Sequence, residues 1–185
     1  MAEIASPSNP YAPPASQVAD IAADGAREPA YFPISTLKLL VMCFGTLGLY
    51  QFYWFYRNWQ AHKARTQEDI SPFWRTFFGV FYCYPLFRRM RDCGESLQVP
   101  LPGIGGYAAA WIIPSLLWRL PDPYWIVSFL AYLALVPVQQ AVNRINERAA
   151  PGHDRNDRLR AWNWLAVFPG LPIFALAIFG AFAEA

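Results

Sequence analysis

The sequence predicts an all-α integral membrane protein, and three observations lead to this fold class. Apolar residues make up 55% of the 185-residue chain and charged residues only 15%, whereas soluble domains carry roughly a quarter charged residues. The apolar residues form long blocks with the charges between them, and aromatic side chains crowd the end of the first block. A core that folds in water requires no such segregation, so we interpret the blocks as helices in lipid.

Four blocks are long enough to cross the hydrocarbon layer, which takes about 18 to 20 apolar residues. The first has no charged residue over 39–56, and the last has none over 162–183. The two central blocks are separated only by 121–123, a connection so short that it requires an antiparallel hairpin. The four predicted transmembrane helices are about 37–56, 104–120, 124–142 and 162–183.

A further block, about 72–92, is ambiguous. Ser71 and Pro72 are typical of the start of a helix. The uncharged stretch, 76–87, contains twelve residues, and at about 1.5 Å per residue it reaches only about 18 Å. The hydrocarbon core is roughly 30 Å thick. We therefore predict a short re-entrant or interfacial helix, with a fifth span as the alternative if its flanking arginines extend to opposite interfaces.

The basic residues predict the orientation, because lysine and arginine are enriched in cytoplasmic loops. With four spans, twelve of them fall on one side and only Arg27, Lys38 and Arg119 on the other. With five spans the best division is ten against five. The distribution favours four spans in a multi-pass protein of the cytoplasmic membrane.

The chain divides into two regions. Residues 1–30 are rich in proline, serine and alanine, and they offer too little apolar surface to offset the entropy of ordering. We predict a disordered tail there. Residues 31–185 are predicted to form a single helical membrane domain.

The first block contains two glycines near its middle and ends in aromatic residues. Tyrosine and tryptophan settle at lipid headgroups, which predicts interfacial anchors at Tyr50, Tyr53, Trp54, Tyr56 and Trp59. A ring-lined groove for a lipid or a partner helix is the alternative. Small residues allow helices to approach closely, which predicts a helix-packing or partner face at Gly45, Gly48 and Gln51.

Arginines near the block ends predict contacts with anionic lipid headgroups; these are Arg57, Arg88, Arg89 and Arg91. We predict no catalytic, cofactor or metal site. His153 and Asp154 lie in a turn without a second histidine at a metal-binding spacing, and His62 is expected at the surface. The net charge of +2 argues against nucleic acid as a partner.

A resemblance to one group of proteins is carried by three motifs. They are Gly48-x-Tyr50-x-x-Tyr53-Trp54-x-Tyr56, SPFWR at 71–75 and VNRIN at 142–146. Over about 31–164 the chain resembles a group of small bacterial polytopic membrane proteins of unknown function. The resemblance implies a bacterial inner-membrane protein and assigns no catalytic residue.

Two functions are consistent with these observations. The first is a structural or adaptor component that binds lipid, another membrane protein or a second copy of itself. The second is a small oligomeric transporter or lipid-handling protein, which predicts a polar cavity around Gln51, Ser115 and Gln139. An enzyme acting at the interface would require His153 and Asp154 to converge with Arg88 or Arg89.

Overall fold

A computed structural model describes residues 28–183, and every regular element within them is helical. Most of the predicted tail therefore lies outside the described residues. The α-helices are α1 (Thr36–Gly45), α2 (Leu49–Thr66), α3 (Pro72–Phe77), α4 (Gly79–Ser96), α5 (Ile104–Leu116), α6 (Ala131–Ala149) and α7 (Ala161–Ala183). Two short 3₁₀ helices, Leu117–Arg119 and Tyr124–Leu130, connect α5 to α6.

The helices form an up-and-down bundle with two chemically different ends. The polar end contains the connections 67–71, 97–103 and 150–160, and the apolar end contains 46–48 and 117–123. Of the fourteen lysines and arginines in 28–183, only Arg119 lies in a connection at the apolar end. The bundle therefore concentrates its positive charge at one end.

The predicted first span, 37–56, is wrong as a single helix, because the chain turns back at 46–48. The Leu47 N–H donates to the Phe44 carbonyl at 3.2 Å, and the Gly48 N–H donates to the Cys43 carbonyl at 2.8 Å. These two bonds form a Schellman motif, which closes a helix C-terminus. Leu47 and Gly48 both have positive φ, 51° and 89°. As a result α1 and α2 form a helical hairpin rather than one rod.

The other predicted spans differ from the observed helices to different degrees. The predicted helix 104–120 ends as an α-helix at Leu116. The ambiguous block contains two helices, α3 and α4, instead of one. Within residues 28–183, only two helical segments are long and apolar enough to span a membrane, Tyr124–Ala149 and Ala161–Ala181, and not four. The all-helical fold is thus as predicted, but the number of span-length helices is not.

One continuous apolar core joins the helices. Its largest fully buried side chains include Trp54 and Phe55 of α2, Phe87 of α4 and Leu135 of α6. The rings of Phe55 and Trp111 lie 4.7 Å apart, which brings α5 into the same core. By contrast, α7 contributes little to this core, since only 17% of its most apolar stretch is buried against the rest of the chain.

Candidate functional site

The segment 30–35 has no regular structure and is held at the polar end by side-chain amides. Asn146 of α6 binds both polar backbone groups of Tyr31: its Oδ1 accepts from the N–H at 3.0 Å, and its Nδ2 donates to the carbonyl at 3.0 Å. Asn58 of α2 accepts from the Phe32 N–H at 3.2 Å. Buried backbone groups need such partners, so these amides fasten the segment, which we call the strap, between α2 and α6.

A buried glutamine extends this network into the core. Gln139 accepts from the Trp54 indole N–H at 2.6 Å and donates to Asn143 at 2.7 Å and to the Ile34 carbonyl at 3.2 Å. Its amide is thereby satisfied at both ends. Gln139 therefore has a structural role and does not line the polar cavity in which it was predicted.

A cavity of about 610 Å³ opens at the polar end between α2 and α4. We call it the arginine cavity. Its lining residues are His62, Arg65, Thr66, Glu68, Tyr84, Pro85, Arg88, Arg89, Asp92 and Cys93. Three arginines therefore face two carboxylates across a cavity large enough for a small polar group.

His62 is buried in the wall of this cavity. The Arg89 Nε donates to the His62 Nε2 at 2.8 Å, and the Arg89 Nη2 donates to Glu68 at 2.8 Å. Burial, followed by the charge of Arg89, lowers the pKa of His62 below its usual 6.5. The hydrogen bond from Arg89, and its positive charge, lower the pKa of Glu68. A neutral imidazole that accepts at Nε2 carries its proton on Nδ1, and this buried Nδ1 has no hydrogen-bond partner in the part of the chain that the structure describes.

Arg65 is held in a fixed position at the edge of the cavity. Its guanidinium lies 5.0 Å from the centre of the Tyr31 ring and donates to the Tyr31 hydroxyl at 2.9 Å and to the Cys93 Sγ at 2.6 Å. Burial raises the pKa of Tyr31, so the phenol stays protonated and donates to the Arg89 carbonyl at 3.0 Å. Within the described residues no carboxylate lies within 4.0 Å of Arg65.

A second, larger cavity of about 810 Å³ lies toward the apolar end. We call it the ring groove. Most of its lining is aromatic or aliphatic: Leu47, Leu49, Gln51, Phe52, Phe77, Gly79, Val80, Trp111, Ser115, Trp118, Trp125, Ser128, Phe129, Tyr132 and Ala177. The indole N–H of Trp111 donates to the Gln51 Oε1 at 2.9 Å. Gln51 and Ser115 are thus brought together as predicted, but in a groove that is mainly apolar and without Gln139.

The predicted interfacial anchors separate into two groups. Trp54 and Trp59 have no exposed surface, which corrects their assignment as anchors. Trp54 packs against Phe87 of α4 and bonds to Gln139 of α6, and Trp59 is covered by Arg75 of α3 and Tyr82 of α4. Tyr53 is 44% exposed, and Tyr50 and Tyr56 are partly exposed.

Other helices of the same chain pack against the predicted glycine face. A Cβ on Gly45 would lie 2.6 Å from Val167 of α7, and a Cβ on Gly48 would meet the Tyr132 hydroxyl of α6. Both glycines therefore allow close packing between helices of this chain.

The predicted headgroup arginines lie on the polar half of the bundle. Arg88 is exposed, and Arg91 pairs with Asp92 at 2.9 Å and Glu95 at 3.4 Å. Arg57 covers the rings of Phe32 and Tyr53. Arg89 is only partly exposed because it is bonded to His62 and Glu68.

His62 was expected at the surface, and the structure buries it. His153 instead lies in a separate surface cavity with Asp154 and does not reach Arg88 or Arg89. In the described part of the chain, no three His, Cys, Asp or Glu side chains are grouped to hold a metal ion.

No protein-family model matches the chain, and no curated protein or solved structure gives a significant match. The function must therefore be argued from its own residues.

Three functional positions were missed by sequence reasoning. The sequence predicts a surface position for His62 and does not single out Arg65 or Glu68. The available signal was the spacing of His62 and Arg65, since residues three apart on a helix share a face, whereas Glu68 lies beyond the end of α2. Arg89 was noticed, but its partner lies 27 residues earlier in the chain.

Proposed function

We propose that the protein is a multi-pass protein of the bacterial cytoplasmic membrane that binds lipid, with an acyl chain in the ring groove. The observation that carries the proposal is the groove itself. It has about 810 Å³ of space, walls of tryptophan and phenylalanine, and only a few polar groups. Such lining is typical of sites for apolar ligands.

Exposed apolar side chains support a membrane location. On α7, Trp162, Phe168 and Phe179 each expose 74–79% of their surface. On α3 and α4, Phe77 and Phe81 expose 65% and 76%. Soluble monomers rarely expose apolar patches larger than a few hundred Å², whereas lipid accommodates them without cost.

Helix lengths suggest how the bundle sits in the bilayer. The segments Tyr124–Ala149 and Ala161–Ala183 contain 26 and 23 residues, or about 39 and 35 Å, and would cross the roughly 30 Å core. The ten residues of α1 reach only about 15 Å. In this arrangement the α1–α2 and α3–α4 hairpins enter from the cytoplasmic side and return, while Tyr124–Ala149 and α7 cross. The thirteen residues of α5 and the 3₁₀ helix that follows them, about 26 Å together, connect the two sides.

The lipid-binding proposal is tested by filling the groove. Ser115 lines it, whereas Ile113 on the same helix is 59% exposed and does not. Ser115→Trp should lower the number of lipids retained in native mass spectra from mild detergent, because the new ring occupies the acyl-chain space. Ile113→Trp is the matched control. Equal retention by both variants, or recovery of the wild type from water without detergent, contradicts the proposal.

A partner membrane protein is the second candidate, favoured by the ring face of α3. The rings of Trp74 and Phe78 stack with centroids 6.1 Å apart, and Trp74 remains 56% exposed. Trp74→Ala should remove a co-purifying membrane protein if this face binds one, whereas Leu133→Ala, which removes an exposed side chain from α6, should retain it. An unchanged set of co-purifying proteins argues against this candidate.

A further inference from the structure

We propose that the arginine cavity binds the phosphate group of an anionic membrane lipid. The inference deepens the proposed lipid-binding function, on which it rests, by assigning the headgroup chemistry and a second site. Gln51 of the ring groove and His62 of the arginine cavity are eleven residues apart in α2, which corresponds to about 16 Å along the helix.

Charge pairing leaves the cavity electropositive. Glu68 pairs with Arg89 at 2.8 Å. Asp92 is shared, because it lies 2.9 Å from Arg91 and 3.9 Å from Arg88. This leaves Arg65 as the cavity arginine with no carboxylate within 4.0 Å in the described residues. A guanidinium held in place and not neutralised is well suited to bind phosphate oxygens.

The unsatisfied polar groups near the cavity are donors. The His62 side chain is 4% exposed, and its Nδ1 lacks a partner among residues 28–183. The neighbouring Trp59 indole N–H is likewise buried and unpaired there, with the Arg89 guanidinium 5.6 Å from the centre of a Trp59 ring. Because both N–H groups are buried, the cavity arginines are the donors that a ligand can reach, and their positive charge favours a ligand that brings acceptors and negative charge. Phosphate meets both conditions.

An apolar strip beside the cavity favours a lipid as the source of the phosphate. Tyr84 lines the cavity and is 44% exposed. Phe81, one helical turn before it on α4, is 76% exposed, and Phe77 at the end of α3 is 65% exposed. Both residues lead toward the apolar end. A lipid phosphate in the cavity would place its acyl chain along these rings. A soluble phosphate compound would leave the strip without a role.

The test measures headgroup selectivity in native mass spectra of detergent-purified protein incubated with phosphatidylglycerol or phosphatidylcholine. The wild type should retain phosphatidylglycerol preferentially. Arg65→Gln and Arg88→Gln should each lower that preference about fivefold, the effect of one basic residue at an anionic surface. Arg144→Gln removes the same charge from an exposed site on α6 whose hydrogen bond is to its own helix, and it should leave the preference unchanged.

The outcomes separate the possible failures. Equal retention of both lipids by the wild type, or equal losses in all three variants, overturns the phosphate site but leaves lipid binding intact. Retention of no lipid at all contradicts the proposed function as well. Displacement of phosphatidylglycerol by millimolar inorganic phosphate would identify a soluble source and overturn the lipid assignment.

The Arg88→Gln variant distinguishes an effect on binding from an effect on folding. Arg65 also contacts Tyr31 and Cys93, so Arg65→Gln alone has structural effects. Arg88 has a side chain that is 64% exposed, and its removal should not change the thermal unfolding midpoint. If Arg88→Gln loses selectivity at an unchanged midpoint, the site is supported; if it retains full selectivity, the proposal is contradicted.

Discussion

Gly170 of α7 lies directly against the carbonyl oxygen of Gly45, where α1 ends, and a Cβ added to Gly170 would meet that oxygen. This contact joins a ten-residue helix that is too short to cross a bilayer to α7, which has 23 residues. Neither glycine can be replaced without moving one helix away from the other. The pair therefore determines how closely the α1–α2 hairpin approaches α7.

Gly170→Ala should destabilise the fold by about 1–3 kcal/mol, the usual cost of overpacking a tight contact. Gly180→Ala is the matched control, because it lies in the same helix and its added Cβ meets nothing within 4 Å. Thermal unfolding in detergent compares the two variants. Similar midpoints for both would show that α1 and α7 do not pack as described.

The strap should lose its attachment when Asn146 is replaced. Asn146→Leu leaves the Tyr31 N–H and carbonyl without their partner, at about 1–3 kcal/mol for each buried group. Replacement of exposed Gln140 by leucine on the same helix should change stability much less. Denaturant unfolding of the two variants measures the difference, and equal unfolding midpoints would contradict the structural role of the amide.

Acid should destabilise the protein through His62. Its pKa is lowered in the folded state, chiefly by burial, so the unfolded chain binds the proton more readily. Stability is therefore complete above about pH 6.5 and decreases as the pH falls from there toward the folded pKa. His62→Gln should reduce the change in the unfolding midpoint between pH 7.5 and pH 5.5. His153→Gln, the other histidine, should leave the slope unchanged, and a wild-type slope in His62→Gln would refute the assignment.

Glu68 acts in the same direction at lower pH. The hydrogen bond and charge of Arg89 lower its pKa below the usual 4.5, so the stability that the carboxylate contributes is present above about pH 4.5 and is lost as the pH falls further. His62→Gln removes the loss attributed to the imidazole, so the fall of the unfolding midpoint of this variant below pH 4.5 measures the contribution of Glu68.

The contacts at the start of α1 predict on which side of the membrane Glu28 lies. The Lys38 ammonium donates to Asn156 at 2.7 Å and to the Arg158 carbonyl at 2.8 Å, so the start of α1 and the loop 150–160 share one side. Cysteines introduced at Glu28 and at Asp154 should both be shielded from an impermeant thiol reagent in intact cells, and a cysteine at Asp122 should react. Opposite labelling of Glu28 and Asp154 would contradict the hairpin.

Local sequence signals were sufficient for some elements and not for others. Proline and serine at 71–72 and the apolar run after 161 correctly indicated where helices begin. The turn at 46–48 was missed because Leu47, an apolar residue, adopts a positive φ that usually indicates glycine. Its conformation is stabilised by the hydrogen bonds that close the helix end, which hydropathy does not report.

The candidate site depends on contacts between distant parts of the chain, and this explains why local sequence patterns did not predict it. Trp54 was expected at the headgroups, but its indole N–H meets Gln139, 85 residues later. His62 was expected in solvent, but α4 covers it and supplies Arg89. Composition identified arginines near helix ends, yet only the tertiary fold distinguishes the paired ones from Arg65.

The strap also affects the order in which the molecule is assembled on the ribosome. Tyr31 is synthesised 115 residues before Asn146, so this early segment emerges long before the amide that holds it exists. It must wait until α6 has been translated, and only then is the polar end completed. Nascent chains that stop short of α6 should accordingly expose the strap, 30–35, to added protease, whereas full-length chains should protect Tyr31 and the strap residues that follow it.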